Sequence, residues 1–248
     1  MSKVLVVTGA SRGIGAATAR LAGQQGYAVA VNYNSSADRA QAVVDEIVGA
    51  GGKAVAIKAD VSTPDGAKAL FAETDAQLGT ATGLFNNAGI VANYRPIDAY
   101  DAEALAEMWR VNITSQFLCA GEAVKRMSTT NGGAGGTIVN MSSAASRIGG
   151  AGGMLAYAAS KGAIDTFTLG LAVDLGPQGI RVNAIRPGLI ETEIHDQTGD
   201  LQRLERLSGQ VPMGRTGTAE EIADVVVYLL SEQASYVNGA IIDIGGGR

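Results

Sequence analysis

Short apolar runs alternate along the chain with longer stretches of helical spacing. Val4–Val7, Ala28–Val31, Ala54–Ile57, Leu84–Phe85, Thr137–Met141, Arg181–Ile185 and Ala240–Ile244 read as strands. They are rich in Val and Ile and lack polar alternation, as strands covered on both faces do. Ala37–Gly49, Pro64–Leu78, Asp101–Met127, Leu155–Leu175 and Ala219–Leu230 carry helical spacing. Thr63 followed by Pro64 makes an N-cap with proline at the first helical position. Thr218 with Glu221 fits a capping box. Strand and helix alternating throughout predict βαβ units: a doubly wound parallel sheet of about seven strands with helices on both faces. No interdomain linker interrupts the pattern, so one domain spanning 1–248 is expected. NGGAGG, 131–136, reads as a flexible turn before a strand. The segment 191–215 is the least regular and is expected to cover a substrate site.

Composition narrows the class. Apolar residues make up 46% and charged residues 17%, which suits a large buried core and speaks against disorder. A net charge of −5 argues against nucleic-acid binding. No apolar run approaches the roughly 18 residues of a membrane span. MSKVLVVTGA leads straight into a strand and does not read as a signal peptide. The single cysteine, Cys119, allows no internal disulfide, so a cytoplasmic setting is expected. Cys119, Met108 and Trp109 read as packing residues. The single histidine, His195, forms no metal cluster and reads as a surface loop residue, with substrate contact the alternative. Lys125 and Arg126 read as solvated charges near a helix end, with a patch for an acidic carrier protein as the alternative.

Candidate chemistry begins with TGASRGIG, 8–15, directly after the first strand. Gly9, Gly13 and Gly15 let the backbone turn tightly and approach a ligand closely. The following helix offers free N–H groups and a positive dipole end to a phosphate. Ser11, Arg12 and Ile14 complete the loop. This is the strand–turn–helix setting that a dinucleotide loop requires. An NAD site commonly places an acid at the end of the second strand for the ribose 2′-hydroxyl. Here that strand ends in VNYNSS, with no acid before Asp38. Arg12 with the neutral donors Asn34 and Ser35 suits a 2′-phosphate instead. The expectation is therefore NADP(H), with NAD(H) as a second option.

Tyr157 and Lys161 stand four residues apart in YAASK. On a helix they share one face. A neighbouring cation favours the phenolate and lowers the phenol's pKa, so the pair forms a tuned proton donor. The plain alternative is a half-buried Tyr beside a solvated Lys.

Taken in order, TGASRGIG, Asp60-Val61, NNAG (86–89), Asn112 in RVN, NMSS (140–143), YAASK and RPG (186–188) resemble the short-chain dehydrogenase/reductase family over nearly the whole chain. The resemblance implies a Rossmann-like fold and a homotetramer. It extends to bacterial glucose 1-dehydrogenase-like enzymes and to 3-oxoacyl carrier-protein reductases. It places Asp60 and Val61 at the adenine, and Asn87, Ala88 and Gly89 along the adenine ribose. Pro187, Gly188, Ile190 and Thr192 line the nicotinamide. Ser143 hydrogen-bonds the substrate carbonyl, and Asn112 holds a water and steadies Lys161. Two features depart from the family pattern. Thr82 stands where relatives often carry Asp, and the loop AASRIGGAGGMLA is about one residue longer, which bears on the choice between Ser142 and Ser143.

The resemblance implies hydride transfer between the nicotinamide and a carbonyl or secondary alcohol. Tyr157 serves as the general acid–base, and Ser143 steadies the developing oxyanion. A 3-oxoacyl carrier-protein reductase is the alternative enzyme. A non-catalytic NADP(H)-binding redox sensor is the alternative class, although a pure binder needs no proton donor. The apolar run Val225–Leu230 and the edge-strand pattern of the C-terminal segment predict two surfaces covered by subunit contacts.

Overall fold

The computed structural model describes residues 3–193 and 203–248. Seven strands form one sheet in the order β3-β2-β1-β4-β5-β6-β7. They are β1 (Lys3–Val7), β2 (Tyr27–Tyr33), β3 (Lys53–Lys58), β4 (Gly83–Asn86), β5 (Gly136–Met141), β6 (Ile180–Pro187) and β7 (Ile241–Ile244). Every pairing is parallel. Each predicted strand is present, with its ends within two residues of those expected.

Alternation appears in which face a residue covers, because successive side chains of a strand point to opposite faces. Leu5 and Val7 of β1 join one core cluster, and Val4 and Val6 join the other. The first cluster packs against α1 (Gly13–Gln24), α2 (Ala37–Gly49) and α9 (Ala219–Leu230). The second packs against α3 (Pro64–Gln77), α5 (Ser115–Met127) and α7 (Leu155–Leu175). With both faces dry, polar alternation along the strand would bury unpaired groups, so the sequence has none. A buried chain of amides ties the layers: Asn86 Nδ2 donates to Asn140 Oδ1 at 3.0 Å, and Asn140 Nδ2 donates to Thr168 Oγ1 at 3.0 Å.

The caps form as the residue types dictate. Thr63 Oγ1 accepts from the Gly66 N–H, with Pro64 at the first helical position. Thr218 and Glu221 form a reciprocal capping box. Thr82 Oγ1 accepts from the Val4 N–H at 3.1 Å, so the hydroxyl fastens β1 beside β4.

Three expectations are corrected. Asp101–Met127 is not one helix. Asp101 is the N-cap of α4 (Ala102–Trp109), and a π-helical turn at Arg110–Thr114 separates it from α5. Trp109 is 43% exposed, while Met108 and Cys119 are buried. The apolar run on α9 packs mostly within this chain: Val226, Val227, Leu229 and Leu230 are buried, while Tyr228 stays 43% exposed. Among the exposed apolar side chains, Phe117 on α5 and Leu169 and Val173 on α7 are 50%, 50% and 75% exposed. No helix among the described residues is long and apolar enough to cross a membrane.

Candidate active site

β1 is flanked by β2 on one side and β4 on the other, so the chain winds outward in both directions from it. At such a switch point the loops beyond the strand ends diverge and leave a crevice. A cleft of about 820 Å³ opens there. One end holds Arg12, Asn34 and Ser35, and the other holds Ser143, Tyr157 and Lys161.

The glycine loop is built for close approach. Gly9 and Gly13 have φ of +61° and +54°, a region that side chains disfavour. A Cβ at Gly15 would stand 2.6 Å from Asn87 Nδ2 and 2.7 Å from Gly9 O, so only glycine lets α1 begin this close to the NNAG loop. Asn87 Nδ2 donates to Thr8 O at 2.8 Å and Gly9 O at 3.0 Å. Thr8 Oγ1 accepts from the N–H groups of Asn87 and Ala88, each at 2.9 Å. Asn32 Oδ1 accepts from the Gly9 N–H at 3.2 Å, while its amide donates to Ala59 O at 3.1 Å. These amides hold a backbone cradle that faces the cleft, and Asp60 and Val61 border it. Asp60 Oδ1 accepts from the Ser62 hydroxyl and N–H, and with Arg110 nearby its carboxyl is held below the usual range. The residues present fit a dinucleotide: a glycine cradle for the pyrophosphate, an acid near the base, and cations at the far end.

At the inner end, Tyr157 and Lys161 lie one turn apart on α7. Lys161 is 2% exposed, and its Nζ donates to Met141 O at 2.9 Å. Burial pulls its pKa down from 10.5 to about 8, with Asp165 opposing the shift. The two candidate serines differ plainly. Ser142 is 1% exposed, and its hydroxyl donates to Lys161 O at 3.1 Å. Ser143 is half-buried on the cleft wall, and its Oγ accepts from the Ala145 N–H. Both lie just beyond β5, and the burial of Ser142 leaves Ser143 as the hydroxyl available to a ligand.

Asn112 sits in the π-helical turn, and such widened turns often mark functional sites. Its Oδ1 accepts from the Ile90 N–H at 2.8 Å and its Nδ2 donates to Ile90 O at 2.9 Å. The side chain therefore fastens the loop after NNAG. A Cβ at Gly89 would meet Asn112 Oδ1 at 3.3 Å and Lys161 Nζ at 3.6 Å, so both groups border the same spot. Pro187, at the end of β6, and Gly188, Ile190 and Thr192 just after it line the cleft, with Ile190 largely in the core. His195 lies outside the described residues.

Two residues at the outer end escaped the sequence reading. Arg39, in the first turn of α2, reaches the same place as Arg12. Glu193 meets both guanidiniums: Arg12 Nη1 lies 3.3 Å from Glu193 Oε2, and Arg39 Nη1 donates to the same oxygen. Arg39, and secondarily Arg12, hold the Glu193 carboxyl below its usual range. Helical period places Arg39 one turn from Ser35 and Ser36, which was the one signal that could have found it.

A family model described as enoyl-(acyl carrier protein) reductase matches residues 9–248. The chain is 49% identical over 245 residues to an uncharacterized oxidoreductase, YgfF, of Escherichia coli, covering 99% of both chains. It is 36% identical to the 3-oxoacyl-[acyl-carrier-protein] reductase FabG of Staphylococcus aureus, covering 100% of this chain and 98% of that one. A short chain dehydrogenase from Burkholderia cenocepacia in complex with NADP superposes with a TM-score of 0.90 at 33% identity, covering 99% and 97% of the two chains.

Proposed function

Because this chain belongs to the short-chain dehydrogenase/reductase family of NAD(P)-dependent oxidoreductases, we propose that it moves a hydride between NADP(H) and a carbonyl or secondary alcohol, with Tyr157 as the general acid–base. The observation that carries this reading is the convergence of Ser143, Tyr157 and Lys161 at one end of a cleft whose other end is a glycine cradle flanked by Arg12.

The nicotinamide, when bound, supplies or takes the hydride. The protein supplies the rest. Tyr157 gives its phenol proton to the carbonyl oxygen in reduction and takes it back in alcohol oxidation. An unassisted phenol ionises near 10, too high for work near neutral pH. The buried Lys161 ammonium beside the ring favours the phenolate. Ser143 donates a hydrogen bond to the oxygen on which charge develops, an effect worth about 3 kcal/mol in comparable sites. Asn112 steadies the loop beside Lys161 through Ile90. Asp60 and Val61 would border the adenine, Asn87, Ala88 and Gly89 the ribose, and Pro187, Gly188, Ile190 and Thr192 the nicotinamide.

NADP(H) is favoured over NAD(H) by the cations Arg12 and Arg39 with Asn34 and Ser35, and by the absence of an acid at the end of β2. The NADP bound in the Burkholderia relative supports the same choice. Reduction of 3-oxoacyl thioesters is the second reading, supported by the FabG relative. Against a carrier-protein partner, Lys125 pairs with Glu122, and Arg126 pairs with Glu122 and Asp75, so these cations are already committed. A non-catalytic sensor has no use for the phenol, amine and hydroxyl gathered at one place.

Assembly as a cytoplasmic homotetramer belongs to this reading. The stacked Phe117 and Phe167, with Leu169 and Val173, form an apolar face across α5 and α7 that a second copy would cover. β7 stands at the sheet edge with its residues only partly buried, and offers a second contact. A screen of ketones, sugars, secondary alcohols and 3-oxoacyl thioesters, followed by NADPH absorbance, tests the activity. Absence of turnover with every class would overturn it.

A further inference from the structure

Glu193 follows Thr192 on the strand-exit loop beyond β6, 154 positions after Arg39. Its carboxylate is nevertheless shared between Arg12, at the start of α1, and Arg39, at the start of α2. The three side chains are about half exposed, at 46%, 53% and 48% for Arg12, Arg39 and Glu193. Two guanidiniums from separate elements therefore converge on one anionic group at the outer end of the cleft. That group is a single carboxylate oxygen, while each guanidinium offers a fork suited to two oxygens. A dianionic phosphate with three free oxygens satisfies the pair better than this one carboxylate.

We propose that Glu193 is a specificity-determining residue: its carboxylate occupies the anion position between Arg12 and Arg39, and competes there with the 2′-phosphate of NADP(H). This rests on the reading that Arg12 recognises the 2′-phosphate. NADP(H) has to displace the carboxylate before it gains both guanidiniums, whereas NAD(H), which lacks the phosphate, has no group to put there. Glu193 thus narrows the chain's preference for the phosphorylated dinucleotide. Because the contact is half exposed, the competition is modest and screened by salt.

The test is calorimetric titration with adenosine 2′,5′-bisphosphate and with 5′-AMP, which differ only by the 2′-phosphate. Glu193→Gln is expected to tighten the bisphosphate about three- to tenfold and to change 5′-AMP less than about twofold. Glu193→Ala, which removes any hydrogen-bonding group, should give the same pattern. Equal tightening of both ligands, or weaker bisphosphate binding, would overturn the competition. Arg12→Ala and Arg39→Ala separate the two levels. If the wild-type chain prefers the bisphosphate and either arginine variant loses that preference, the 2′-phosphate reading stands whatever Glu193 does. If the wild-type chain shows no preference and the arginine variants weaken both ligands alike, that reading falls, and the competition with it.

Discussion

The ammonium nitrogen of Lys161 lies 5.6 Å from the centroid of the Tyr157 ring. The two residues are one helical turn apart, so the contact follows from their spacing on α7. What the spacing leaves open is burial. Lys161 is sealed from water and donates to Met141 O, which makes it a fixed cation rather than a solvated one. A fixed cation beside a phenol favours the phenolate, which suits the proton transfer proposed for Tyr157.

Tyr157→Phe is expected to leave the fold intact and to cut turnover by a factor on the order of 10²–10⁴. Initial rates with any substrate found by the screen, together with a melting curve, check this. Retention of most of the rate would remove Tyr157 from the proton-donor role.

Ser143 and Ser142 should separate by kind of effect. Ser143→Ala should lower turnover by about 10²–10³-fold with little loss of stability. Ser142→Ala removes a buried hydrogen bond to Lys161 O and should cost about 1 kcal/mol in chemical denaturation, with a smaller effect on rate. The reverse assignment of the larger kinetic loss would point to Ser142.

Lys161 makes stability depend on alkaline pH. Its pKa is about 8 when folded and 10.5 when free. Between those values the unfolded chain binds a proton that the folded chain does not, so this group's contribution to stability rises with pH. Below about pH 8 the cost of burying the ammonium is present in full. Cys119, raised to about 12 by burial, and other groups act in the same range. The comparison is therefore between wild type and Lys161→Met. The variant's stability relative to wild type should be greatest below pH 8 and should shrink by about 3 kcal/mol towards pH 10.5. A difference that stays constant over that window in urea titrations would mean that Lys161 is not desolvated.

Arg12→Ala should weaken NADPH binding roughly ten- to hundredfold and NADH binding far less, the usual scale for a charge-assisted contact. Fluorescence titration of both dinucleotides reads this directly. Equal losses would show that Arg12 does not read the 2′-phosphate.

Light scattering at micromolar concentration should give about four times the 25.2 kDa of one chain. Leu169→Glu with Val173→Glu places two charges on the exposed face of α7 and should lower the assembled mass. A wild-type monomer would overturn the assembly, and a dimer would leave one of its two contacts.

The sequence by itself determined the strands, the glycine cradle, the caps of α3 and α9, and the Tyr157–Lys161 pair. Each of these depends on neighbours within a turn or a strand: spacing, φ at Gly9 and Gly13, a hydroxyl three residues from an N–H. Tertiary structure decided what depends on distant partners. Asn112 lies in a π-helical turn and its amide bonds the Ile90 backbone, and no period within 101–127 records either. Trp109 is half exposed although its apolar character reads as core, and four of the six residues of the α9 run are buried within this chain although the run reads as uncovered. Periodicity reports how apolar a face is, not what stands opposite it. Arg39 and Glu193 meet across 154 positions, and a charge pair so far apart in sequence leaves no local pattern. Only the folding of β6 and α2 to the same end of the sheet brings the two charges together.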